Sequence, residues 1–124
     1  MDEQPRAIVE EFFERMADTE RRDTVGELFA DDAIITLPGQ RFAGEDAPSE
    51  MIAWLEPRYE WVNKEFGPWI ETGPHVVSQG TLYGVNNDGE RFDGVRYVDI
   101  YEVEDDKIIR VDIYNDLAAT GVLE

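Results

Sequence analysis

The second half of the chain limits the choice of fold most. Residues 75–85, Arg91–Glu104 and Lys107–Asn115 are rich in Val, Ile, Tyr and Thr, the residue types that favour a pleated, half-buried surface. Two turn signals divide them, Asn86-Asn87-Asp88-Gly89 and Glu104-Asp105-Asp106, and Asp-Gly suits a tight hairpin. Three long antiparallel strands in sequence order are expected. Such a sheet must cover one face, and the first half of the chain offers the cover. Residues 4–17 place Ile8, Val9, Phe12, Phe13 and Met16 on one helical stripe, with Pro5 suited to the first turn. Asp23 or Thr24 can cap a short second helix bearing Val25, Leu28 and Phe29, and residues 33–37 read as a strand closed by Pro38-Gly39. Ser49 can cap a third helix whose apolar set is Met51, Ile52, Leu55, Tyr59, Val62 and Phe66. Pro57 predicts a kink there, or two helices end to end, and Gly67-Pro68 stops the pattern. Helices first and a meander afterwards define an α+β fold, with N-terminal helices on a curved, mostly antiparallel sheet.

At 124 residues the chain suits a single domain spanning 1–124. Eleven basic against 29 acidic residues give 11 − 29 = −18, the wrong sign for nucleic acid or an anionic membrane surface. Cysteine is absent, which removes disulfides, thiolate chemistry and cysteine zinc sites. The longest apolar run, residues 51–55, is too short for a membrane span or signal-peptide core, so an intracellular, cytoplasmic location is expected. Lys64 and Lys107 are the only lysines. A dispersed acidic surface poor in lysine fits a halophilic source, because salt screens the self-repulsion. The acidic runs lack EF-hand spacing and read as solvated surface, so no metal is expected.

Several short motifs appear in a fixed order. They are Leu28-Phe29-Ala30-Asp31-Asp32-Ala33, Pro38-Gly39 with Phe42-Ala43-Gly44, Gly80-Thr81-Leu82-Tyr83-Gly84, and Asp106-Lys107-Ile108-Ile109-Arg110 running to Tyr114-Asn115-Asp116-Leu117. With this order the chain resembles the nuclear-transport-factor-2-like superfamily, the cone-shaped fold of ketosteroid isomerases, limonene epoxide hydrolases, scytalone dehydratase and SnoaL-like polyketide cyclases. The resemblance implies a pocket inside the cone and leaves the reaction open. Carried over position by position, the isomerase base falls on Leu37, its tyrosine on Phe13 and its oxyanion aspartate on Asp99. Of these three, only Asp99 can move a proton. The epoxide hydrolase aspartate falls on Ile113, and its Arg-x-Asp pair has no counterpart among Val77, Ser78, Gln79 and Gly80.

Strand alternation approaches the same site independently. Val95, Tyr97, Asp99, Tyr101 and Val103 share one strand face, and Ile109, Val111, Ile113 and Asn115 share a face of the next. With both faces inward, Asp99 is a carboxylate flanked by tyrosines in apolar surroundings, where its pKa rises into a useful range for acid–base work. A purely structural acceptor of hydrogen bonds is the other reading. His75, the only histidine, is either a strand-start residue or the second half of an acid–base pair with Asp99. On the strand it opens, either Gln79, Thr81 and Tyr83 or Ser78, Gly80 and Leu82 face the pocket. Trp54, Tyr59 and Trp61 are core residues or a ligand platform.

The sequence thus predicts a cofactor-free acid–base enzyme acting on a small apolar molecule. Asp99, His75 and Tyr97 are the candidate catalytic groups, and Trp54, Tyr59, Gln79, Tyr83, Tyr101, Val111, Ile113 and Asn115 the pocket lining. The alternative is a non-catalytic binder of the same fold. A homodimer is expected through the outer sheet face, where Val98, Ile100 and Tyr114 lie among Arg96, Arg110, Asp112 and Glu102. Leu117, Val122 and Leu123 predict a docked C-terminal tail.

Overall fold

The computed structural model describes residues 5–117. Helix α1 (Pro5–Ala17) buries Ile8, Val9 and Phe12, the stripe that the sequence sets up. A 3-10 helix follows at Arg22–Leu28, and Phe29 beyond it is already extended. Strand β1 (Phe29–Leu37) pairs antiparallel with β2 (Gln40–Ala43) across Pro38-Gly39. The expected strand is therefore longer, and β2, which buries none of its four residues, was not anticipated.

Helix α2 (Ala47–Leu55) begins after Asp46, and Ser49 donates to the Asp46 carbonyl instead of capping. The helix does not continue as expected. A 3-10 turn at Glu56–Arg58 contains Pro57, and the chain then runs as strand β3 (Tyr59–Phe66). Tyr59, Val62 and Phe66 fit a helical stripe in sequence, but Pro57 lacks the N–H and collides with the preceding turn. As an edge strand β3 leaves Trp61, Val62 and Phe66 exposed, so no period-two alternation marked it as a strand. Trp54 and Trp61 consequently share no helix face.

Strand β4 (Ile70–Thr72) is short. Strands β5 (His75–Asn86), β6 (Arg91–Glu104) and β7 (Lys107–Asn115) form the expected meander. One sheet runs β2-β1-β7-β6-β5-β3, with β4 on β5, and only the β1–β7 pairing is parallel. Gly80 and Gly84 allow β3 to lie close against β5. A Cβ at Gly80 would stand 2.0 Å from the Glu65 carbonyl oxygen, and one at Gly84 would stand 2.2 Å from that of Trp61. Asp105 and Asp106 both take positive φ (52° and 63°), as a two-residue hairpin between β6 and β7 demands.

Side-chain parity on β6 is as expected, with Val95, Tyr97, Asp99, Tyr101 and Val103 all buried. On β5 the Ser78 and Leu82 alternative holds, and Gln79 and Tyr83 belong to the other face. On β7 a bulge between the Glu102–Arg110 and Val103–Ile108 pairs makes Ile109 the extra residue, so Ile108 is buried in its place. The principal core joins α1, α2 and β1 to Val76, Tyr101, Val103, Ile108 and Val111. A second apolar cluster holds Leu82, Val95, Tyr97 and Leu117, with Tyr59 and Phe92 against it. Leu117 is docked, as expected of the tail; Val122 and Leu123 lie outside the described residues.

Candidate functional site

Tyr101 belongs to the principal core and Tyr97 to the second cluster. Asp99 lies between them on the same strand face, at the seam of two apolar regions, and is 2% exposed. Strand β5 places Ser78 opposite it and β7 places Ile113 opposite on the other side. The Tyr101 hydroxyl donates to Asp99 Oδ2 at 3.3 Å. From β3, Lys64 brings its ammonium to 3.7 Å from the same oxygen. Burial raises the Asp99 pKa above the usual carboxylate range, while Lys64 and the Tyr101 hydroxyl pull it back. Burial and the Asp99 charge also push the Tyr101 hydroxyl well above its ordinary value.

The surroundings are aromatic. Phe13 meets Tyr101 edge-on at 5.7 Å and lies 5.6 Å from Phe66, which stacks on Trp69 at 5.6 Å. The Lys64 ammonium lies 5.0 Å from the Phe13 ring centre and 4.8 Å from that of Tyr97, within the range of cation–π attraction. Tyr97 exchanges a hydrogen bond with Ser78 at 3.0 Å, and burial raises its pKa. The arrangement holds one carboxylate, one ammonium and two phenols among rings. That set can take up or release a proton and can stabilise a negative oxygen.

The other candidates scatter. His75 lies at the β5 terminus, with Nε2 3.9 Å from Glu102, and pairs in register with Glu102 while Ser78 pairs with Asp99. No His75–Asp99 pair is formed. Gln79 donates to the Pro68 carbonyl, and Tyr83 meets Trp61 edge-on at 5.9 Å, both on the outer side. Trp54 ends α2 beneath the Arg58 guanidinium, 3.8 Å from its ring centre. Tyr59 packs on Phe92, where burial pushes its hydroxyl up to about 12. Val111 is buried and Ile113 packs on the same core, so both share the Asp99 face. Asn115 Oδ1 accepts from the Leu117 N–H at 3.2 Å. Phe13 and the buried Leu37 both pack in the principal core.

Lys64 was missed. The sequence reads as helix there, and only strand β3 brings Lys64 to Asp99. Pro57 was the available signal that the helix ends. Two open clefts lie elsewhere, one among Trp61, Tyr83, Arg91 and Phe92, the other between the 3-10 helix and α2 at Arg22, Ser49 and Ile52. Among the described residues no cluster of His, Asp or Glu is placed to hold a metal ion, and no helix is long and apolar enough to cross a membrane.

Helices on one face of an open, curved, mostly antiparallel sheet are the architecture of the nuclear-transport-factor-2-like class. Within it, residues 9–111 match the SnoaL-like domain model, and the chain belongs to that family. No match is found among curated proteins. Solved structures agree on the fold. A protein of unknown function from Burkholderia pseudomallei superposes with a TM-score of 0.83 at 18% identity, covering 96% of this chain and 95% of that one. A protein named as a SnoaL-like polyketide cyclase from Jannaschia sp. CCS1 gives 0.81 at 21% identity, with 94% and 88% covered. An epoxide hydrolase of the limonene type from Mycobacterium tuberculosis gives 0.72 at 20% identity, with 92% and 84% covered.

Proposed function

We propose that the chain is an acid–base enzyme for a small, largely apolar carbonyl compound, with Asp99 as the proton-transfer group. The observation that carries this is a carboxylate 2% exposed whose nearest cation is a single lysine on an otherwise aromatic wall. A purely structural acid would be cheaper as an amide, because a buried charge costs several kcal/mol, of order 3–5 if left unpaired. Asp99 takes a proton from the carbon beside the carbonyl. The C–H electron pair moves into the enolate, and the ammonium of Lys64 faces the oxygen that becomes negative. Return of the proton from Asp99 to another carbon gives an isomer. Attack of the enolate carbon on a second carbonyl closes a ring, and the alkoxide that forms takes the proton back from Asp99. The matching family and the cyclase and hydrolase among the fold relatives support a catalytic reading.

The test is exchange of carbon-bound protons for deuterium in a panel of small ketones, followed by NMR. Exchange in the wild type that Asp99→Asn abolishes, with folding intact, supports the proposal. Binding without exchange for any member of the panel would make the protein a binder.

We further propose a homodimer through the outer sheet face. Ile70 and Tyr114 are each 53% exposed, and Val77, Val98 and Ile100 lie between them in register. Arg110, Asp112, Arg96 and Asp116 border this apolar strip, the composition of an interface with a polar rim.

A further inference from the structure

We infer that the Asp99 site binds a flat aromatic monocarboxylate by exchange of charge partners: the ligand's carboxylate takes over the Lys64 ammonium, and Asp99 takes up one proton from solvent. This rests on the proposed role of the site and adds a class of ligand that competes with its substrate, because a protonated Asp99 and an occupied Lys64 block the base and the oxyanion partner of the proposed reaction. Lys64 is the cation of the site, at 3.7 Å from Asp99. The Tyr101 hydroxyl is a neutral donor on the same oxygen, and the Tyr97 hydroxyl is engaged with Ser78. Helix α1 meets this part of β6 with the uncharged rings of Phe12 and Phe13. Strand β7 places Ile113 opposite Asp99. The site in its resting form is therefore neutral, one positive and one negative group in a setting of low polarity.

An entering anion would leave two negative charges against one positive. A buried uncompensated charge is far more costly than a buried pair, so the proton goes to Asp99, which loses its counter-ion to the ligand. The exchange balances: one ligand anion and one proton enter, the Lys64–Asp99 ion pair becomes a Lys64–ligand ion pair, and Asp99 becomes neutral. The ammonium has reason to stay in place meanwhile, because the faces of Phe13 and Tyr97 hold it independently of Asp99. It is also the accessible member of the pair, with 27% of its side chain exposed against 3% for Asp99. A ligand arriving from solvent meets the cation first. The flat body follows from the rings beside the ammonium: Phe66, 52% exposed, stacks on Trp69 next to Phe13, a surface that rewards stacking.

The probe is 2-naphthoate, with naphthalene-2-carboxamide as its neutral counterpart, measured by titration calorimetry in buffers of different protonation enthalpy. The expected result is uptake of close to one proton per naphthoate bound, and affinity that falls about tenfold per pH unit as pH rises between the free and bound pKa values of Asp99. Asp99→Asn should bind naphthoate at least as tightly, with no uptake and a flat pH profile. Lys64→Met should lose naphthoate binding at least tenfold more than carboxamide binding. If that variant folds poorly, Lys64→Met/Asp99→Asn removes both charges and should bind the amide but not the acid. Naphthoate binding without proton uptake, unchanged binding in Lys64→Met, or no binding of naphthoate by the wild type would each overturn the inference. Loss of the inference with deuterium exchange intact leaves the enzyme reading standing. Proton-coupled binding without exchange leaves the inference and removes catalysis.

Discussion

The ammonium of Lys64 stands 3.7 Å from Asp99 Oδ2, yet the two side chains differ sharply in exposure, 27% against 3%. Removing either partner therefore has opposite consequences. Asp99→Asn leaves a lysine that water can reach and relieves the buried carboxylate, so stability at neutral pH should hold or rise. Lys64→Met leaves the carboxylate buried without its cation and should cost about 3 kcal/mol near neutral pH. Urea unfolding of both variants checks this. A destabilised Asp99→Asn beside an unaffected Lys64→Met would reverse the assignment.

The pH dependence follows with a definite sign. Burial raises the folded-state pKa of Asp99, so its favourable contribution is complete below the unfolded value and is lost as pH rises through the folded one. Asp112 behaves the other way. Burial alone would raise its pKa, but hydrogen bonds from Arg110 and Thr36 outweigh that and hold it low. Its contribution is present above the unfolded value and fades as pH falls through the folded one. The stability gap between Asp99→Asn and wild type should widen in favour of the variant from acid to neutral pH. For Asp112→Asn the wild type should gain over the same range. Unfolding curves at a series of pH values distinguish the two slopes.

Gly80 and Gly84 bring no side chain to the site, yet they hold it together by letting β3 approach β5. Gly80→Ala forces a methyl group toward the Glu65 carbonyl and must move β3, the strand that carries Lys64. A loss of about 1–3 kcal/mol is expected, with a larger drop in proton exchange on ketones than stability alone explains. Full exchange activity in folded Gly80→Ala would show that β3 is not needed.

These residues also show what was legible beforehand. The bounds of Arg91–Glu104 and Lys107–Asn115 could be read directly, because long β-branched runs and Asp-rich turns leave little freedom. Asp99 emerged from strict period-two alternation on β6. The neighbours of Asp99 were harder. Both parities on β5 read equally well in the sequence, and the pairing of Ser78 with Asp99 and of Gln79 with Val98 turns Gln79 and Tyr83 outward, while a bulge on β7 puts Ile108 where Ile109 was expected. An edge strand with both faces partly wet carries no alternation at all, and Lys64 was hidden there.

Salt response tests the surface. A net charge of −18 on 124 residues repels itself in dilute buffer, and the screening length shrinks from about 10 Å at 0.1 M to about 3 Å at 1 M salt. The thermal midpoint should therefore rise between dilute buffer and molar potassium chloride. A midpoint that stays level would remove the idea of salt adaptation.

Dimerisation supplies the last prediction, because the same charge must be overcome when two copies meet. The outer face carries its own compensation: Arg110 Nε lies 2.9 Å from Asp112, and Arg96 Nε lies 2.6 Å from Asp116. These pairs offset part of the border charge and leave Glu102 beside them, so the strip from Ile70 through Ile100 to Tyr114 can close against a copy with less like-charge repulsion. A two-fold contact is the simplest closed form of such an assembly. Light scattering should give twice the 14.2 kDa chain mass, with the dimer strengthened by salt as repulsion is screened. Ile100→Glu places a charge at the centre of the strip and should yield monomer without unfolding, since Ile100 points away from the core. A species of single-chain mass at every salt concentration, unaltered by Ile100→Glu, would leave this face as ordinary surface.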